Sequence, residues 1–160
     1  MQETADNIIE GNILAYKNAS STYKETKIKT ASQGQLIIML YDEVIRQLTQ
    51  AAEMLELKNE KNKIHDKIEK INKAIMKAEE IITELMVSLD FEQGGDIAKN
   101  LFSLYSWFNR ELLEASISQD VKRVKTVRNM FSELHDSWKK IVHTVDSENR
   151  ETSVGLNIAG

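Results

Sequence analysis

Three histidines and 25 carboxylates are the side chains here that could support acid–base or metal chemistry, so their spacing comes first. A helical bundle that holds two metal ions needs Glu-x-x-His pairs aimed inward from two helices, and no such pair occurs. His135 stands two residues after Glu133, on a different helical face, and His65 forms an i,i+4 pair with Glu69 among charged neighbours. His143 also lies among polar neighbours, and all three histidines are expected at the surface. Cysteine is absent, which removes thiol nucleophiles, thiolate metal sites and disulfides together. There is no Gly-x-Ser-x-Gly turn and no glycine-rich loop for a phosphate. The expectation is a protein that is not an enzyme and needs no metal or cofactor.

The remaining charge is equally plain. The cluster "VKRVKTVR", with Lys122, Arg123, Lys125 and Arg128, fits the solvated face of a helix. A formal net charge of -4 argues against a nucleic-acid partner. The longest apolar run, Leu36 to Tyr41, falls far short of the roughly 20 residues that span a bilayer. The N-terminus carries acidic residues early and lacks the basic start of a secretory signal, so the expected location is the cytoplasm.

What must position these residues is helical. The chain has no proline and only six glycines, so helices can run long. Ile37, Tyr41, Val44, Leu48, Ala51 and Leu55 step by fours and threes, which predicts a first helix over about residues 33–58. Ser32, followed three residues later by Gln35, reads as its capping box. Ile64, Ile68, Ile71, Ile75, Ala78, Ile82, Leu85 and Leu89 give a second helix. Ile97, Leu101, Leu104, Phe108, Leu112 and Ala115 give a third, opened by the glycine pair in "EQGGDI", where the chain is expected to reverse. Val121, Val124, Val127, Phe131, Leu134, Trp138, Ile141 and Val145 give a fourth, capped by Ser118 or Asp120.

Short connections force neighbouring helices antiparallel. The predicted fold is all-α, an antiparallel up-down four-helix bundle over residues 30–146. An N-terminal arm, 1–29, precedes it, with Ile8, Ile9, Ile13, Leu14 and Tyr16 able to form one short apolar face; a polar, flexible tail, 147–160, follows it. At 41% apolar and 29% charged residues, the 160-residue chain has the composition of one folded domain. Ile38 and Met39 lie off the first stripe, and Phe102 and Trp107 off the third. Those helices therefore carry apolar residues on more than one face, which fits either a wide core or a groove for a partner helix.

Two stretches resemble the flagellin-specific export chaperones of the FliS family. The first is "YKETKIKTASQGQLIIMLYDEVI", similar to the family's tyrosine, spacer, Thr-Ala-Ser/Thr-Pro and Met-Leu-Tyr-Asp-Gly pattern. The second is "KAIMKAEEIITELMVSLDFEQGGDIAKNLFSLYSWFNRELLEAS", similar to its Glu-Leu, Leu-Asp, Gly-Gly-x-Ile-Ala-x-Asn-Leu and Leu-Tyr run. The late Trp138 also fits, and the resemblance runs in order from Tyr23 to about Ile141. The chain departs from the pattern at Gln33, Glu43, Ser106 and Ser116, where the family tends to have proline, glycine, aspartate and asparagine.

The resemblance implies a chaperone that binds the disordered C-terminal segment of flagellin as helices, prevents its premature polymerisation and aids its delivery to a component of the export gate. It implies that the arm lies on the empty client surface, with Tyr23 as anchor and Ile28 as a lesser contact. The residues expected to border the client are then Tyr23, Ile28, Leu36, Met39, Leu40, Tyr41, Glu43, Leu101, Leu104 and Tyr105. For Leu40 and Tyr41, core and groove both remain open, as does a homodimer. A helical scaffold or coiled-coil adaptor that self-associates without a flagellin client is the alternative reading.

Overall fold

The structure, a computed structural model, describes residues 32–57 and 64–158, with side chains described at 32–57 and 67–151. Ser32 opens the first helix as its spacing predicts. Its Oγ accepts a hydrogen bond from the Gln35 amide at 3.3 Å, and Gln35 Oε1 accepts one from the Ser32 amide at 3.3 Å. Two amides with no partner inside the helix are thereby satisfied. Helix α1 then runs Gln33–Leu57, and Tyr41, Val44, Leu48, Ala51 and Leu55 of the expected stripe are buried.

Helix α2, Ile64–Val87, buries Ile71, Ile75, Ala78, Ile82 and Leu85. Ala74 and Ile81 join them, so its buried face is wider than the stripe. The chain reverses at residues 88–90, where Asp90 caps helix α3, Phe91–Ser118, by accepting from the amides of Glu92 and Gln93. The glycine pair was expected to make that reversal. It lies instead inside α3, as a kink: Gly95 has φ 49° and ψ −126°, a combination that favours glycine. Gln119, in the left-handed region at φ 55°, ends α3. Asp120 then caps helix α4, Val121–Ile158, by accepting from the Lys122 amide at 2.9 Å.

The four helices among the described residues form a bundle in which α1 and α3 each pack against both α2 and α4. Contacts along α1 and α4 fix their antiparallel register: Tyr41 meets Phe131, Asp42 meets His135, and Glu56 pairs with Lys125. The fold is the all-α bundle that the periodicity predicts.

Several features differ from expectation, each because the pattern within one helix does not say where its neighbours end. The segment 147–160, expected as a flexible tail, continues α4 through Ile158. At 38 residues, or about 57 Å, α4 is far longer than α1. A Cβ on Gly34 would sit 2.7 Å from Val142 Cγ2, so the first turn of α1 lies against residue 142 of α4. Ile141 and Val145, expected in the core stripe, are exposed at this end of the bundle. Ile97, also expected in the core, is 70% exposed close after the Gly95 kink.

Candidate functional site

Tyr41, Tyr105, Phe108 and Phe131 meet in the middle of the bundle, from α1, α3 and α4. Ring centroids lie 4.8 Å apart for Tyr41 and Phe131 and 4.9 Å apart for Phe108 and Phe131. Tyr105 stacks on Phe131 at 6.2 Å. The Tyr41 and Tyr105 hydroxyls hydrogen-bond to one another, which satisfies two polar groups inside an apolar cluster. Burial pushes the Tyr41 hydroxyl up, partly offset by Tyr105 and Trp138, and burial followed by the proximity of Tyr41 pushes Tyr105 up further. Both therefore remain protonated hydrogen-bonding groups rather than acids.

This placement corrects part of the expected client surface. Tyr41 is 0% exposed, Tyr105 2% and Leu40 5%, so none of the three offers area to a partner. Their apolar bodies complete the core, and the tyrosine oxygens find their partners inside the bundle. Leu36 and Met39 of α1, and Leu101 and Leu104 of α3, are half-buried, each with one side on the core. Glu43 is half-buried and already engaged on its own helix, accepting from Arg46 Nε at 2.9 Å and from Gln47 Nε2 at 2.8 Å. Tyr23 and Ile28 lie outside the described residues. The α1 and α3 sets meet through the buried Tyr41–Tyr105 pair.

His135 is a second correction. It was expected at the surface, yet it is buried, with Nε2 2.8 Å from Asp42 Oδ1 but without the alignment of a hydrogen bond. Its position four residues after Phe131 places it on the core-facing side of α4, which its polar sequence neighbours concealed. His143 is exposed as expected, and the side chain of His65 lies outside the described ones. Among the described residues, no group of three His, Asp or Glu side chains is arranged to hold a metal ion. The basic cluster of α4 is partly committed to ion pairs: Arg123 bonds both oxygens of Glu111, and Lys125 pairs with Glu56.

Apolar surface that the periodicity did not assign lies on α3. Phe102, Leu113 and Ile117 are exposed and share one face with Ser106 and Asn109, at steps of four, three, four and four. Phe91 extends it through an edge-to-face contact with Phe102 at 5.9 Å. Asn109 donates to Thr83 Oγ1 at 3.1 Å, so this face borders α2. The signal was present in the sequence, as Phe102 beside Leu101 and Leu113 beside Leu112. A separate open groove lies between α1 and α2, where Gln47, Gln50 and Met54 face Lys70, Lys73 and Lys77. No described helix is long and apolar enough to cross a membrane.

Comparison with known proteins places this arrangement. A family model described as "Flagellar protein FliS" matches residues 16–145. The chain is 34% identical over 117 residues to the flagellar secretion chaperone FliS of Escherichia coli (strain K12), covering 72% of this chain and 80% of that one. With the flagellar secretion chaperone FliS of Salmonella typhimurium it shares 35% identity over 117 residues, covering 73% and 82%. With that of Bacillus subtilis (strain 168) it shares 25% over 143 residues, covering 89% and 99%. The crystal structure of a bacterial flagellar chaperone superimposes with a TM-score of 0.61 at 19% identity, over 83% of this chain and 98% of that one, a likeness of fold. The relatives are chaperones rather than enzymes, and the family model spans the capped start of α1, the Tyr41–Tyr105 core and the glycine kink: the chain belongs to the FliS family of flagellar secretion chaperones.

Proposed function

We propose that this chain binds the disordered C-terminal segment of flagellin in the cytoplasm, keeps it from polymerising early and delivers it to a component of the flagellar export gate. The observation that carries this reading, beside the family, is the apolar face of α3 formed by Phe91, Phe102, Leu113 and Ile117, which no other described helix covers. An unfolded client that becomes an amphipathic helix on contact can bury its apolar side there. The half-buried rims at Leu36 and Met39 and at Leu101 and Leu104 are the accompanying contacts, and Glu43 lies beside them on α1. Tyr41, Tyr105 and Leu40 act from behind, by fixing the positions of α1 and α3. The arm, with Tyr23 and Ile28, is assigned to cover client surface when no client is present, which limits the exposed apolar area.

Calorimetric titration of the full chain with the C-terminal segment of flagellin tests this. The expected result is saturable binding with a negative heat-capacity change, as ordering on contact buries apolar surface. Phe102→Asp and Leu113→Asp are expected to weaken it, and removal of residues 1–24 to strengthen it. Absence of binding, together with a stable homo-oligomer in solution, would favour the self-associating scaffold.

A further inference from the structure

Lysines and carboxylates divide along α2. Lys70, Lys73 and Lys77 line the open groove against α1, whereas Glu79, Glu80 and the buried Glu84 line a separate cavity farther along the helix. Among the described residues no ion pair engages any of the three lysines, and Glu53 is the one carboxylate lining their groove. Buried Ala74 and half-buried Met54 give it an apolar floor. Lys67 reaches the Leu57 carbonyl at 3.4 Å, where α1 ends and α2 begins, so Lys70 lies nearer that end of the groove and Lys77 nearer the start of α1. Steps of three and then four residues put the lysines in a row about 10 Å long on one helix face.

A complementary row stands in the same chain. Glu3, Asp6 and Glu10 repeat the steps of three and four, and no Lys or Arg precedes Lys17. The family model begins at residue 16, so these carboxylates lie outside the region matched to it. On a helix they would share one face, bordered by Ile9.

We propose that residues 3–10 dock as one helical stretch in the α1–α2 groove of their own chain, parallel to α2, with Glu3 on Lys70, Asp6 on Lys73 and Glu10 on Lys77. The position of Ser32 sets the direction. To reach the groove from there, the preceding residues run back alongside α1, which is antiparallel to α1 and parallel to α2. That order brings the earliest carboxylate to the lysine farthest from Ser32. The groove starts at Gln47, about 22 Å along α1 from Ser32, and residues 11–31 can span up to about 70 Å. Exposed ion pairs are weak singly, but a tethered segment meets its site at an effective concentration of about millimolar, so three weak pairs in register suffice. Carboxylates near the start of a helix also suit its positive end. The docking uses neither the α3 face nor Tyr23, so it can fail without the client reading, and the reverse.

The chain has no cysteine, so Thr4→Cys, off the acidic face, gives full-length protein a single site for a nitroxide label. In ¹⁵N-labelled protein the amide resonances of residues 47–54 and 70–77 are expected to broaden at about 0.1 M salt and to sharpen at about 1 M, where screening acts beyond roughly 3 Å. Reversing the arm alone, with Glu3→Lys, Asp6→Lys and Glu10→Lys, leaves every described residue unchanged and is expected to abolish the broadening. Adding Lys70→Glu, Lys73→Glu and Lys77→Glu is expected to restore it, which a fold defect could not do. Nitroxide-bearing ¹⁴N protein mixed with unlabelled ¹⁵N protein is expected to leave the groove amides sharp. Broadening in that mixture would assign the groove to a second copy's segment, sharp groove amides in the labelled protein itself would leave the groove to some other partner, and broadening indifferent to charge reversal would remove the ionic register; each overturns the proposal.

Discussion

The hydroxyls of Tyr41 on α1 and Tyr105 on α3 hydrogen-bond to each other at the centre of the aromatic cluster, 64 residues apart in the chain. Each answers a polar group that the other leaves buried. Tyr41→Phe is therefore expected to cost about 1–3 kcal/mol, because it orphans the buried Tyr105 hydroxyl, whereas Tyr105→Phe leaves Tyr41 its hydrogen bond with Trp138 and is expected to cost less. Tyr41→Phe with Tyr105→Phe should cost less than the sum of the single changes, since no orphan remains. Urea unfolding of the four species in a double-mutant cycle reads this coupling directly.

The cap of α1 rests on a reciprocal pair of hydrogen bonds between Ser32 and Gln35. Ser32→Ala is expected to lower stability by about 1 kcal/mol, and Ser32→Asp to retain most of it. Both are read from the midpoint of urea unfolding at unchanged slope.

These two cases mark what the sequence makes legible. The cap is local, with donor and acceptor three residues apart, and so are the stripes, whose period reports a helix whatever it packs against. That tyrosines 41 and 105 face one another is not local, because Leu40 and Tyr41 sit where core and surface adjoin and only the position of α3 decides between them. The buried His135 and the exposed Ile141, Val145 and Ile97 follow the same rule. Each depends on where a neighbouring helix begins, ends or bends, as at Gly34 against Val142 or at the Gly95 kink. The α3 face was visible as apolar residues in excess of one stripe, but its exposure depends on which neighbours flank it.

Gly34 and Gly95 are both glycines for different reasons, which substitution separates. At Gly34 the obstacle is Val142, whose Cγ2 would lie 2.7 Å from an added Cβ. Gly34→Ala gains up to about 1 kcal/mol of helix propensity and is expected to lose more to overpacking, about 1–3 kcal/mol. Val142→Ala in the same molecule should relieve most of that loss. At Gly95 no atom lies within 4 Å of an added Cβ, but φ is +49°. Gly95→Ala is expected to cost on the order of 1–3 kcal/mol through the backbone alone, with no neighbouring substitution able to rescue it. Thermal or urea unfolding of the two pairs distinguishes crowding from strain.

Glu84 links stability to pH with a definite sign. Its carboxyl is raised from an ordinary 4.5 to about 7 in the folded chain, chiefly by burial and then by Glu80. Between those values the folded protein holds a proton that the unfolded chain has released, so the unfolded state binds fewer protons and the contribution of Glu84 falls as pH rises. Below about pH 4.5 the group is protonated in both states and imposes no penalty. Above about pH 7 it is charged in both, and the full cost of a desolvated carboxylate is present, on the order of 1–3 kcal/mol for a group this buried. Glu84→Gln keeps the shape and removes the charge. Relative to the parent chain, the variant is expected to gain stability steadily from pH 4.5 to pH 7 and then to hold that gain at higher pH, in urea unfolding measured across the range. A difference independent of pH would mean that Glu84 titrates alike in the folded and unfolded chains, and its burial would then carry no electrostatic cost.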